Sequence, residues 1–196
     1  VSFPGMVIAG EQVSEFSLEF SFGCAISSRA HLAINLADET DGFELAVNRH
    51  RHLVSYYVMS RGSLDGSVDV LPGFRDPIVR YRVSQREQEN LGKGIKALTR
   101  VLLAAGAMRV FTGLPGSRIV ESLNQTDGLS NSLPPGFNNI MTVHLMSSCP
   151  MGEDQRKAAV NSWGRVHGQA GLYVSDVSTL CTSPGVNPQG TIMALA

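Results

Sequence analysis

The sequence predicts an α+β fold in which an antiparallel sheet packs against one long helix. Two observations lead to this class. The first third of the chain carries short runs of strand character separated by turn residues, and a capped, amphipathic helix follows them. The 196 residues suffice for one domain with a hydrophobic core, to which a C-terminal strand, loop and helix are appended.

Five runs are predicted as strands. The first, Glu15–Phe22, alternates strictly and places four apolar residues on one face. The others are His31–Ala37, Val54–Ser60, Gly66–Leu71 and Pro77–Val83. Turn-forming pairs separate several of them: Asp41-Gly42, Asp65-Gly66 and Pro72-Gly73. Successive strands joined by short turns favour antiparallel pairing.

A single long helix is predicted over residues 84–105. Ser84 and Glu87 have the spacing of a capping box at its start. Its apolar face is formed by Leu91, Ile95, Leu98, Leu102 and Ala105. Gly106 is placed to end the helix in a left-handed conformation. Gly92 and Gly94 each cost about 1 kcal/mol relative to Ala, and we interpret them as marks of a close helix contact.

After the helix the chain loses regular character. Residues 113–140 are rich in Gly, Pro, Asn and Ser, which predicts a long loop. We therefore place a boundary between residues 1–141 and residues 142–196. The second segment contains a polar loop, a short strand over Gly171–Ser175 and a final helix over Pro188–Ala196.

Composition excludes several classes of function. The formal net charge of −1 and the lack of a basic stripe argue against a nucleic-acid partner. No apolar run has the length of a membrane span. The three cysteines form no CxxC pair, and His50-x-His52 has no nearby acidic or Cys partner, so no metal site is predicted. Sparse cysteines slightly favour a reducing, cytoplasmic compartment.

Four ordered motifs occupy the last fifty residues. His144 begins His-Leu-Met-Ser-Ser-Cys-Pro-Met-Gly, and Gly164-Arg165-Val166-His167-Gly168 follows. The stretch Gly171–Ser178 ends in Asp-Val-Ser, and the chain closes with Asn187-Pro188-Gln189-Gly190-Thr191-Ile192. In order and spacing these segments resemble the C-terminal, substrate-binding part of glucose-methanol-choline (GMC) flavoprotein oxidoreductases. The resemblance covers most of the chain from about Asp65.

This resemblance implies an FAD-dependent enzyme that passes a hydride from an alcohol or sugar hydroxyl to the flavin. Residues 1–141 would be its substrate-binding domain, and residues 142–196 would carry the catalytic His loop and a segment that completes the FAD half. The Gly-x-Gly-x-x-Gly turn that binds the FAD pyrophosphate does not occur here. The N-terminal FAD-binding half is therefore the expected partner, and the isolated chain is expected to be inactive.

The resemblance also implies roles for single residues. His144 would be the base that removes the hydroxyl proton, a transfer suited to a neutral imidazole, although a hydrogen-bonded structural histidine is the alternative. Asn187 would lie beside the substrate oxygen, and locally Asn187-Pro188 also suits a helix start. Asp176 and Val177 would approach the FAD, although Asp176 also suits a simple turn. Pro188 and Gln189, with Asn187, would contact the flavin through their backbone.

Three positions depart from the family pattern. Ser147-Ser148 stands where Gly-Thr is common, Asn161 where Asp is common, and Cys181 where Pro often occurs. These departures leave open which alcohol is the substrate and whether oxygen or another acceptor reoxidises the flavin. Three alternatives also remain: a lyase of the same family, a non-catalytic fragment, and a subunit whose FAD half is a separate polypeptide.

Overall fold

A computed structural model of the chain describes residues 19–62, 66–114, 119–137, 140–142 and 144–195. It mixes helices with small antiparallel sheets, as an α+β fold requires. The chain divides into two compact units. Unit 1 comprises Val1–Ser60 and Gln85–Asn139, and unit 2 comprises Arg61–Ser84 and Ile140–Ala196. The last of the three crossings between the units lies between Asn139 and Ile140, and residues 61–84 belong to the unit that contains the C-terminus.

Unit 1 contains a two-stranded antiparallel sheet. Strand β1 (Phe20–Ala25) pairs with β2 (Ser55–Ser60) in a register that places Phe20 opposite Ser60 and Ala25 opposite Ser55. Strand β2 confirms the prediction for Val54–Ser60. The first part of the predicted run Glu15–Phe22 lies outside the described residues, and β1 begins at Phe20.

Two short helices lie between these strands, α1 (Arg29–Asn35) and α2 (Gly42–Asn48). The predicted strand His31–Ala37 is therefore wrong. The Ser28 hydroxyl accepts a hydrogen bond from the His31 backbone N–H at 3.3 Å, and the Ser28 N–H donates to His31 Nδ1 at 3.4 Å. This is a capping box in which His replaces the usual Glu, so the helix start does not match the usual sequence pattern.

Helix α3 occupies Gln85–Ala104. Gly106 ends it with φ of 98°, as expected for a left-handed glycine. The N–H of Ala107 donates to the carbonyl of Leu102, and the N–H of Gly106 donates to that of Leu103, both at 3.0 Å. These two bonds form a Schellman motif, which satisfies carbonyls that the helix end leaves free.

The two glycines inside α3 lie at close contacts. A Cβ at Gly94 would collide with the Val58 side chain of β2 and meet Phe20 of β1. A Cβ at Gly92 would collide with the backbone of Asn131 and Ser132 in the following loop. That loop is anchored by the Leu133 N–H, which donates to the Gln88 carbonyl at 3.1 Å. Glycine thus permits backbone approaches on two sides of α3.

Unit 2 has a separate two-stranded sheet, so the predicted strands do not all join one sheet. Strand β3 (Gly66–Asp69) pairs antiparallel with β4 (Ile78–Tyr81), and Val68 lies opposite Val79. Both strands fall within the predicted runs. On the opposite face, Arg80 donates to Asp69 at 2.6 Å; the Arg80 side chain is exposed and that of Asp69 is half-buried.

The rest of unit 2 is mostly loop, joined by isolated bridges. Met151 pairs parallel with Val160, Val160 pairs antiparallel with Val166, and Arg165 pairs with Tyr173. Val160 is fully buried. The predicted strand Gly171–Ser175 is thus reduced to one bridge at Tyr173. Helix α4 (Gln189–Leu195) ends the described part of the chain, and no helix within that part is long and apolar enough to span a membrane.

Candidate functional site

The loop that follows His144 is hydrogen-bonded to the segment that follows Asp176. Three successive carbonyls accept these bonds: that of Ser178 from the Cys149 N–H, that of Thr179 from the Met151 N–H, and that of Leu180 from the Ser147 hydroxyl. The distances are 3.0, 3.0 and 2.7 Å. We call this set the carbonyl ladder. It brings together two segments that the sequence places about thirty residues apart.

Ser147 has a backbone conformation that most residues avoid. Its φ is 65°, and it is the only non-glycine residue with positive φ in the described ranges. A left-handed conformation costs a residue with a Cβ about 1–2 kcal/mol. The hydroxyl of Ser147 offsets part of this cost through its bond to the Leu180 carbonyl. The structure therefore explains why Ser can stand at a position where Gly is common.

His144 lies at the start of this loop and is half-buried. Within the described part of the chain, its imidazole takes part in no hydrogen bond or ion pair. Asn187 is exposed on the other predicted segment, and the described residues include no hydrogen bond between the two side chains. The structure thus joins the backbone of the His144 loop to the Asp176 segment without pairing His144 to Asn187 directly.

Asp176 begins the 3-10 turn Val177–Thr179. Its carboxylate accepts the Ser178 N–H at 2.7 Å, and its carbonyl accepts the buried Thr179 hydroxyl at 2.9 Å. Hydrogen bonding from the Ser178 side chain and then from its N–H lowers the pKa of Asp176. Asp176 therefore forms a turn, as the sequence allowed. The carboxylate also stays exposed, while Val177 is half-buried.

A tight turn precedes Asn187. Gly185 has φ of 80°, and a Cβ there would lie 2.7 Å from Nε of Arg61. The Arg61 guanidinium donates to the Pro184 carbonyl at 3.4 Å, across 123 positions of sequence. Sequence reasoning missed Arg61, because no local pattern relates an arginine before β3 to a turn before α4.

Pro188 is buried, whereas Asn187 and Gln189 are exposed. The Pro188 carbonyl accepts the Ile192 N–H at 2.8 Å. Pro188 therefore occupies the N-cap position, since the N-cap carbonyl accepts the first helical bond. The N-cap is therefore one residue later than the predicted cap at Asn187, and the Asn187 side chain lies outside the helix.

The Arg-Val-x-Gly loop is organised by Asn161. Its side-chain oxygen accepts the N–H groups of Trp163 and Arg165, both at 3.0 Å. An Asp carboxylate can accept the same two bonds, so the departure from Asp keeps the loop's geometry. Gly164 has φ of 73°, and a Cβ there would lie 2.6 Å from the Val174 carbonyl oxygen.

The remaining reactive side chains form no metal centre in the described part of the chain, where no group of three His, Cys, Asp or Glu residues is suitably placed. His167 has its Nε2 within 2.9 Å of the Gly152 carbonyl, which gives it a structural partner. Cys149 is half-buried and Cys181 is exposed, with its Sγ 3.0 Å from the Met151 carbonyl.

Comparison with known proteins identifies the family of the chain. The family pattern described as GMC oxidoreductase matches residues 60–196. The chain is 37% identical over 185 residues to the uncharacterized GMC-type oxidoreductase y4nJ of Sinorhizobium fredii, covering 94% of this chain and 37% of that protein.

Two further relatives have more specific names. Long-chain-alcohol oxidase FAO1 of Arabidopsis thaliana is 35% identical over 61% of this chain and 17% of its own length. The 2-methyl-1,2-propanediol dehydrogenase of Mycolicibacterium austroafricanum is 37% identical over 46% of this chain and 15% of its own length. The chain therefore spans well under half the length of these relatives. The match over residues 60–196 shows that this chain belongs to the GMC oxidoreductase family.

Proposed function

We propose that this chain is the C-terminal part of an FAD-dependent oxidoreductase that acts on the CH–OH group of an alcohol or a sugar. The carbonyl ladder is the observation that carries the proposal, because it attaches the loop of the candidate base to the segment of the candidate cofactor contacts. The names of the relatives, one an alcohol oxidase and one a diol dehydrogenase, support an alcohol as the substrate class.

In this proposal His144 accepts the proton of the substrate hydroxyl. FAD, when bound, accepts the hydride that leaves the same carbon. A histidine base must be reachable by the substrate and free to accept a proton. His144 is half-buried and its imidazole has no hydrogen bond in the described ranges, which supports this role. Asn187 would donate to the substrate oxygen from its exposed amide and so help to orient the alcohol.

The candidate FAD contacts fit a polar part of the cofactor. Asp176 presents an exposed carboxylate whose pKa is lowered by hydrogen bonds from Ser178, and such an acceptor suits a ribityl hydroxyl as donor. A phosphate is a poor partner for this carboxylate, because like charges repel. Val177 would contact the cofactor with its half-buried side chain. Asn187, Pro188 and Gln189 would face it at the start of α4.

The same proposal assigns the FAD-binding half as partner, whether in one polypeptide or as a separate subunit. Residues 1–141 would bind substrate, and the segment from about Gly171 would complete the FAD half. Unit 2 carries large apolar side chains that are more than half exposed, which supports a partner surface. Those in its C-terminal part are Met141, Leu145, Trp163, Leu172, Tyr173 and Met193.

The decisive experiment uses the flavin-loaded enzyme formed by this chain with its FAD-binding half. Flavin bleaching by alcohols is followed without oxygen in the parent, in His144→Ala and in the control His52→Ala, which changes an exposed histidine of unit 1. We expect His144→Ala to slow bleaching by roughly 10²–10⁴-fold, the usual contribution of a general base, and His52→Ala to leave it unchanged. No bleaching by any alcohol in the parent would instead support the lyase alternative.

A second measurement concerns the 196-residue chain alone. Titration with FAD, followed by flavin fluorescence, is expected to show no tight binding, because the Gly-rich pyrophosphate motif is absent from the sequence. Tight binding by this chain would contradict the assignment of the main FAD contacts to a separate half.

A further inference from the structure

Ser147 combines two features that occur together in no other residue of the described chain. It is the one non-glycine residue there with positive φ, and its hydroxyl makes a short bond to a backbone carbonyl distant in sequence. Leu180, the acceptor, ends the 3-10 turn that Asp176 begins. A hydroxyl on a short side chain is needed for this bond, and Thr would add a branched Cβ to a left-handed position.

This bond shortens the free chain next to His144. Without it, the first residue after His144 that the carbonyl ladder holds is Cys149, and Leu145, Met146, Ser147 and Ser148 lie between them. With it, only Leu145 and Met146 separate His144 from a fixed residue. A shorter free segment restricts where the imidazole can move, as pre-organised catalytic geometry requires.

We propose that Ser147 is a positioning residue for His144. Its hydroxyl holds a left-handed turn against the Leu180 carbonyl, and this turn sets the direction from which the imidazole approaches the substrate hydroxyl. The inference rests on the proposed function, since it concerns the base that accepts the proton. The hydrogen bond of Ser147 would hold the left-handed turn in place. A glycine at this position would adopt the same turn without such a bond.

The test compares Ser147→Ala and Ser147→Gly with the control Ser148→Ala in the flavin-loaded enzyme. Ala keeps the Cβ and loses the hydroxyl, so the left-handed turn is strained and unbonded. Gly also loses the hydroxyl, but it adopts positive φ without strain. Ser148 is exposed, and its side chain has no partner in the described ranges, so it controls for removing a neighbouring hydroxyl.

We expect Ser147→Ala to lower the limiting rate of flavin reduction roughly tenfold, since small displacements of catalytic groups have effects of this order. The alcohol dissociation constant should change less than about twofold, because Ser147 is assigned no substrate contact. Ser147→Gly should lose less than Ala, and Ser148→Ala should match the parent. An unchanged limiting rate in both Ser147 variants overturns the inference, as does an equal loss in Ser148→Ala. If Ser147→Ala does not retain flavin, the inference is overturned when Ser147→Gly reduces flavin at the limiting rate of the parent.

A readout besides activity separates this inference from the proposed function. In histidine-labelled enzyme, the His144 ring signal is assigned by its loss in His144→Gln. Ser147→Ala should move that signal, and Ser148→Ala should not. If His144→Gln leaves flavin reduction unchanged, the proposed base is wrong, while a moved signal still supports positioning by Ser147. An unmoved signal in both Ser147 variants contradicts the inference even where His144 is essential.

Discussion

In unit 1 backbone groups pair mainly within helices and strands, whereas in unit 2 they pair mostly across loops. Unit 1 contains α1 to α3 and the β1–β2 sheet. The C-terminal part of unit 2 has instead the carbonyl ladder, three isolated bridges and side chains that accept backbone N–H groups. Buried backbone groups need partners in either case. Loops can meet that need, but only with particular side chains at particular positions.

The difference extends to electrostatics. Three acidic residues of unit 2 have a lowered pKa because they accept local hydrogen bonds: Glu153, Asp154 and Asp176. Glu153 accepts both the hydroxyl and the N–H of Ser162, and Asp176 accepts the N–H of Ser178. In these loops carboxylates thus serve as acceptors of local hydrogen bonds. Four substitutions test these contrasts.

The largest effect on stability is expected for Gly92→Ala in α3. A helical Gly→Ala change is normally stabilising. Here the new Cβ collides with the backbone of Asn131 and Ser132, so the sign reverses. We expect a loss of about 2–3 kcal/mol in the free energy of unfolding, typical of overpacking, measured by urea denaturation. Lys93→Ala, at an exposed neighbouring position, is the control. A stabilised Gly92→Ala variant would show that the loop does not approach α3 closely.

Asn161→Ala should cause the next largest loss in the free energy of unfolding. It removes an acceptor used by two backbone N–H groups, worth about 1–2 kcal/mol together. Asn161→Asp keeps the acceptor and should change stability by less than about 0.5 kcal/mol. Thermal unfolding of both variants gives the comparison. Equal losses for Ala and Asp would mean that the amide group, rather than its oxygen, is required.

Gly190→Ala should have a smaller effect of opposite sign. This glycine lies in α4, and a Cβ there would meet nothing within 4 Å. We expect a gain of about 0.5–1 kcal/mol from helix propensity, seen as a higher midpoint in urea. Comparing this variant with Gly92→Ala separates the effect of helix propensity on stability from the effect of a tertiary contact. A loss of stability would indicate that the start of α4 is constrained by more than its helical conformation.

Glu153→Gln tests the acidic acceptors and has the smallest expected effect. The folded-state pKa of Glu153 is lowered below 4.5, first by the Ser162 hydroxyl and then by its N–H. Its stabilisation is therefore present above the unfolded-state pKa and is lost as pH falls through the folded-state pKa. The variant should be less stable at pH 7, and the two stability curves should converge as pH falls through the lowered folded-state pKa of Glu153. Glu44→Gln, at an exposed position of α2, should keep a constant difference from the parent.

Much of unit 1 follows from local sequence signals. The limits of α3 agree with its periodicity and with Gly106, because a Schellman motif depends on neighbouring residues. Helix α1 was missed for a reason that is also local in sequence: His31 replaces the expected Glu in its capping box. The two-sheet arrangement was not predictable in this way, because strand runs do not specify which partners they choose.

In unit 2 the sequence identified the motifs, their order and the family, but not how the motifs are connected. It pointed to His144, Asp176 and Asn187 because residue type and spacing are properties of the chain alone. Only the tertiary structure showed that the His144 loop bonds to residues 178–180, that Arg61 holds the turn at Gly185, and that Ser147 is left-handed. The physical reason is distance along the chain. A φ angle or a hydrogen bond that depends on a partner about thirty or more residues away leaves no periodic trace in the sequence. A helix, in which each N–H bonds four residues back, does leave one.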